Sequence, residues 1–141
     1  MVVRILLLLI VLGNVFSQAK FNHRFACLRA KLVNLHKGPG NNYPTEWQFN
    51  KQFMPVEVLA EFDNWRLVVD FEGTKGWVHK SLLSGKRYGI ILSNIEVLYS
   101  KADKGAKIIA KIEPHVVVKI LSAKTDWCQV SVVSNNKTYK G

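Results

Sequence analysis

Short apolar segments rich in Val, Ile, Leu, Phe and Trp alternate along the chain with clusters of Gly, Pro, Asn and Asp, and helical periodicity is nearly absent. Such segments bounded by turn formers read as strands, so the pattern predicts an all-β fold. In the first half the strands fall at 25–28, 31–36, 46–49, 54–62, 65–70 and 75–79. Asp63-Asn64 and Glu72-Gly73-Thr74 supply the tight turns, because these residues tolerate the left-handed backbone that hairpins use. Gly38-Pro39-Gly40 reads as a defined loop with backbone angles that only glycine takes easily. Ser81-Leu82-Leu83 ahead of Ser84-Gly85 reads as a single helical turn ending the unit.

The second half repeats the plan. Trp65-Arg66-Leu67-Val68 matches Trp127-Cys128-Gln129-Val130, and Val56-Glu57-Val58 matches Val118-Lys119-Ile120. Val33-Asn34-Leu35 has its counterpart in Glu96-Val97-Leu98, and the Gly-Pro-Gly loop in 101–105. Two copies about 60 residues apart mean tandem units. The expected division is a first unit at 20–87 and a second at 88–141, joined at 87–92 with no room for a flexible linker. Gly141 stands where Gly76 stands in the first copy, and Gly76 is followed there by Trp77-Val78-His79. The second copy is therefore expected to lack its closing strand, which would leave a sheet edge open to strand addition.

Residues 1–19 are set apart from the fold. Arg4 precedes a run, 5–16, that is almost wholly apolar, and Ser17-Gln18-Ala19 places small residues at a cleavage site, the pattern of a secretory signal peptide. The run is short for a bilayer core needing about 20 apolar residues, and no other segment could span one. The protein is thus expected to be periplasmic or secreted, with no transmembrane segment after cleavage. The formal net charge is +10. Residues 20–87 carry 11 Lys/Arg against 6 Asp/Glu, and residues 88–141 carry 8 against 4, so the excess is spread rather than clustered. It favours cell-wall polymers or acidic surfaces as partners; export makes nucleic acid the least apt of the polyanions. Cys27 and Cys128 form no recognisable disulfide framework, and no essential bridge between them is expected.

Val33-Asn34-Leu35, Gly38-Pro39-Gly40, Tyr43-Pro44, Val56-Glu57-Val58, Asn64-Trp65 and Gly76-Trp77-Val78 together resemble the bacterial Src-homology-3 family, in the tandem, exported, alphaproteobacterial form. The resemblance covers most of residues 25–141. It implies small, partly open barrels that are typically non-catalytic and that target proteins to peptidoglycan or to peptides. His36 departs from it, standing where an Arg is usual, and so does the second copy after Gly141.

No catalytic constellation is present: His23, His36, His79 and His115 lie in no zinc-protease spacing, and no nucleophile-elbow or phosphate-loop pattern occurs. No cofactor and no metal site is expected. Strand alternation puts Cys128, Val130 and Val132 on the core face and Trp127 on the other, so Trp65 should also project away from the core, either as a platform for sugars or peptides or as cover for a barrel end or the interdomain contact. Asn34, Tyr43 and Trp47 surround the Gly-Pro-Gly loop, and the family's peptide groove borders that loop. The ligand-binding candidates are therefore Asn34, Tyr43, Trp47 and Trp65, while Trp77 reads as packed structure. The expected function is an exported, non-enzymatic binding module for peptidoglycan or an envelope protein or peptide. The alternatives are a structural protein–protein interaction module without a ligand groove, or a nonfunctional remnant of a longer gene.

Overall fold

Alternating burial along the strands fixes which residues make the core and which are free to make a site. A computed structural model describes residues 22–141 apart from Ser93 and Thr125; the expected signal peptide, residues 1–19, lies outside the described residues. The first unit contains strands β1 (Arg24–Leu28), β2 (Val33–His36), β3 (Thr45–Phe49), β4 (Pro55–Phe62), β5 (Trp65–Val69) and β6 (Lys75–His79). A 3-10 turn (Lys80–Leu82) and the short β7 (Leu83–Ser84) follow. The order in the sheet is β3-β2-β6-β5-β4-β1-β7. The second unit contains β8 (Tyr88–Ile90), β9 (Glu96–Tyr99), β10 (Ile108–Ile112), β11 (Val117–Lys124), β12 (Trp127–Ser134) and β13 (Lys137–Lys140). They form a four-stranded sheet, β13-β12-β11-β8, and a separate pair, β10-β9. The chain is all-β, built as two partly open barrels.

In β2, Val33 and Leu35 point inward while Asn34 and His36 point out. The inward residues meet Val56 and Val58 of β4, Val68 of β5 and Val78 of β6, all essentially without solvent contact. Each such side chain contributes about 1.5–3 kcal/mol of burial. The second core is smaller, consisting of Leu98, Ile112, Val118 and Val132 with partly buried Val130 and Tyr139 around it.

The turns follow local chemistry. Asp63 takes a left-handed φ of 48° between β4 and β5, and Gly73 takes 88° between β5 and β6. Asp70 Oδ1 accepts from the backbone N–H of Glu72 and Thr74 at 3.0 and 2.8 Å, closing that second turn. Gly38 and Gly40 adopt no left-handed φ, contrary to the reading of that loop. Their smallness serves close approach: a Cβ on Gly38 would lie 2.4 Å from the Tyr43 ring, and one on Gly40 would meet Asn42 Oδ1.

The expected junction is itself structure, because β8 pairs with β11 and Ile120 N–H donates to the Arg87 carbonyl at 3.0 Å. Phe53 stacks on Tyr88 with centroids 4.5 Å apart and planes 4° from parallel. Phe71 meets His115 at 5.1 Å, and Lys51 Nζ donates to the His115 carbonyl at 2.7 Å. Phe53 and His115 occupy matching places ahead of β4 and β11, and both hold left-handed φ angles, 61° and 65°. Non-glycine residues bear a cost there, offset here by ring contacts that join the units.

Ahead of Gly141, the second copy carries a strand of its own. Lys137–Lys140 do form a strand against β12, after an Asn135-Asn136 turn whose φ angles of 49° and 59° suit a two-residue hairpin. Among the described residues β13 makes no ladder with β9, whereas β6 bridges β5 and β2. Among the described residues no strand therefore joins the two sheets of the second barrel on that side.

Candidate functional site

The site grows from the outward face of β2, β5 and β6. Counting back from the Gly73 turn pairs Val69 with Lys75 and so Trp65 with His79. The same ladder pairs Val68 with Gly76 and Arg66 with Val78 on the core side, which leaves Trp65 on the opposite face. His36 arrives from β2, paired with Trp77. The result is an indole held edge-on by two imidazoles. His36 lies 5.2 Å from Trp65 at 79°, and His79 lies 5.7 Å away at 88°. Both are in the range of favourable T-shaped aromatic pairs.

The two imidazoles are wired in opposite senses. His36 Nδ1 lies 2.8 Å from the Tyr43 carbonyl, which can only accept, so this nitrogen carries a proton and, in the neutral ring, Nε2 is left as an acceptor. His79 Nδ1 accepts from the backbone N–H of Ser81 at 3.2 Å and faces the Ser81 hydroxyl at 2.7 Å, so in the neutral ring Nε2 carries the proton. The first contact fixes the Gly-Pro-Gly loop to β2; the second caps the 3-10 turn.

A cavity of about 310 Å³ lies between Asn34, His36, Gln48, Trp65 and His79, with Leu32 and Leu82 at its edges. Gln48 Nε2 donates to Asn34 Oδ1 at 2.7 Å across the β2–β3 ladder. No Lys, Arg, Asp or Glu lines it. Among the described residues no three His, Cys, Asp or Glu side chains converge as metal ligands. The surface is thus neutral, with amides and imidazoles around an aromatic ring.

Of the candidates read from the sequence, the structure brings Asn34 and Trp65 together here. Trp65 lies away from the apolar core, and there it is 8% exposed, covered by the two imidazoles rather than standing as an open platform. Tyr43, 42% exposed, is outside this cavity. Its ring lies against Gly38 and its carbonyl orients His36, so it positions a wall rather than forming one. Trp47, 59% exposed, pairs with Leu35 on the core-side register of the edge strand β3 and does not line the cavity. Sequence reasoning missed His36, His79 and Gln48. His36 follows Asn34 by two, the strand period, and His79 could be placed by counting outward from the Gly73 turn.

The second unit holds a shorter version. Tyr99 stands where His36 does and meets Trp127 at 5.9 Å and 78°. Cys128, expected on the core face, is exposed because the open barrel leaves that end of β12 uncovered, and Cys27 is buried; both are free thiols. Burial pushes the Cys27 thiol above its ordinary pKa, despite smaller opposing effects of Ser84, Lys86 and Arg29.

Strands this short, folded into a partly open barrel with a neutral aromatic cavity on its outer face, define a small all-β barrel domain. A sequence profile described as bacterial SH3 domain matches residues 29–85 and residues 93–132, more than half of the chain, so the chain belongs to that family. Bacterial SH3 domains are generally binding modules rather than catalysts, and they often bind peptidoglycan or proteins. No curated protein matches the chain.

Proposed function

We propose that the protein is an exported, non-enzymatic binding module whose first unit takes the peptide stems of cell-wall peptidoglycan at the Trp65 cavity. The observation that carries this reading is the pair of oppositely wired imidazoles around a buried indole. A peptide amide offers one N–H and one C=O; a wall with an acceptor at His36, a donor at His79 and the Asn34 and Gln48 amides answers both. Sugar hydroxyls are served by the same groups, and the largely covered indole fixes the positions of the two imidazoles. A cavity without cations is poorly made for a simple anion. The scattered lysines then raise the encounter rate more than the affinity. Export rests on residues 1–19, and intact mass of the envelope fraction should show a chain beginning at Lys20.

Sedimentation with purified peptidoglycan sacculi across a salt series tests the binding. Retention is expected at low salt and should weaken only modestly as salt rises, because ions screen exposed charges beyond about 10 Å at 0.1 M. Loss of all retention with salt would make the contact nonspecific charge. Absence of retention at low salt would leave the structural reading, which the stack of Phe53 on Tyr88 between the units supports.

A further inference from the structure

His36, His79, Asn34 and Gln48 line the Trp65 cavity, and each has one hydrogen-bonding position committed within the protein and another left over. His36 gives its Nδ1 proton to the Tyr43 carbonyl, so Nε2 of the neutral ring remains as an acceptor. His79 uses Nδ1 on Ser81, so its Nε2–H remains as a donor. Gln48 gives one Nε2 hydrogen to Asn34 Oδ1 at 2.7 Å. That bond orients both amides: Asn34 keeps its Nδ2 hydrogens, and Gln48 keeps its Oε1 lone pairs and a second Nε2 hydrogen. Among the described residues none of these remaining positions has a protein partner. Asn34 is paired with Gln48 across the ladder, and His36 follows Asn34 by one strand period on the same outward face. Side chains at that spacing leave a sheet about 6.6 Å apart. Asn41 adds a further neutral amide at the rim, and the lining holds no Lys, Arg, Asp or Glu. The wall thus joins two acceptor atoms, His36 Nε2 and Gln48 Oε1, to donors at His79 and Asn34.

We propose that the group this cavity selects is a primary carboxamide, CONH2, carried by a stem peptide in place of a free carboxylate. The inference rests on the reading of the Trp65 cavity as the peptide site and adds the chemical group that is recognised there. A primary carboxamide has two N–H donors and one carbonyl with two lone pairs. Its hydrogens answer His36 Nε2 and Gln48 Oε1, and its carbonyl answers His79 and Asn34. A secondary amide has one N–H and leaves one acceptor unanswered. A carboxylate has none. It sets its oxygens against both acceptors, and no cation in the lining offsets its charge. A site built to hydrogen-bond an N–H rejects a ligand lacking it, because the site's own polar groups are then left unpaired. The chain's net charge of +10 pulls the other way and favours the carboxylate at a distance. A preference for the amide therefore has to arise in the cavity itself.

The probes are three forms of one soluble disaccharide–peptide fragment of the cell wall, identical except that the stem carboxyls are free, converted to CONH2, or converted to CONHCH3. Isothermal titration calorimetry with the purified chain reads their Kd values at about pH 8, which favours neutral imidazoles, and about 0.15 M salt. The CONH2 form should bind at least about tenfold more tightly than the free acid, with the CONHCH3 form between them. Gln48→Lys replaces an exposed acceptor by a cation that can still donate to Asn34 Oδ1, and it should reverse the order so that the free acid binds more tightly. Equal or tighter binding of the free acid to the parent chain would overturn the carboxamide and leave the stem-peptide reading standing. A CONHCH3 form as tight as the CONH2 form would overturn it too, because the second N–H would then have found no acceptor. So would an unchanged order in Gln48→Lys, by taking Gln48 Oε1 out of the site. Sacculi that retain the chain while no form binds at millimolar concentration would overturn it by moving the wall contact off the stem peptides. Loss of sacculus retention together with fragment binding would remove the underlying reading and this inference with it.

Discussion

Trp65→Ala is expected to cost the first unit about 3–5 kcal/mol and to abolish retention on sacculi, whereas Trp127→Ala leaves retention unchanged. The loss has two parts. Trp65 is buried on the outer face, and both imidazoles lean on its edges, so removing the indole also releases the walls that carry the donor and acceptor. Urea unfolding measures the first part as a lower midpoint at unchanged slope. Asn34→Ala isolates the second. Asn34 is exposed and, among the described residues, its side chain bonds across the ladder to Gln48, so stability should change by less than about 0.5–1.5 kcal/mol while retention falls. A stable Asn34→Ala chain that binds like the parent would remove Asn34 from the site.

The matched leucines give the second large effect. Leu35→Ala is expected to destabilise the first unit toward the upper end of about 2–5 kcal/mol, the range for truncating a buried leucine in a packed core. Leu35 has no solvent contact and fills the space under Gly76. Leu98→Ala should cost less, toward the lower end of that range, because Leu98 already borders an open cavity into which the site can relax. Limited proteolysis reads the same asymmetry. The parent chain should leave a resistant fragment from the first unit, and Leu35→Ala should abolish it. Equal resistance of both units would show one cooperative domain joined through Phe53 and Tyr88.

Much of this was legible in the chain. The strand positions followed from short apolar runs and turn residues, and alternation placed Trp65 opposite Val68 and Val78. Its cover was harder to see, because it depends on two histidines from other strands, one reached only through the register set by the Gly73 turn. The place of Tyr43 was not legible, because the glycines near it suggest access for a ligand, while their smallness admits the Tyr43 ring itself. The face of Trp47 was not legible either, because proximity to the loop says nothing about face; its partner Leu35 puts it on the core-side register. The strand β13 was missed because Asn135-Asn136, a hairpin signal in plain view, was not used to extend the second unit's hairpin.

The binding site is tested most directly by titrating isotope-labelled protein with a soluble disaccharide–peptide fragment of the cell wall while following the indole N–H signals of its four tryptophans. Saturable shifts are expected at Trp65, with Trp47 and Trp127 unmoved. A Trp65 signal that stays fixed while Trp47 or Trp127 moves, or while none moves, would contradict a ligand site in the Trp65 cavity.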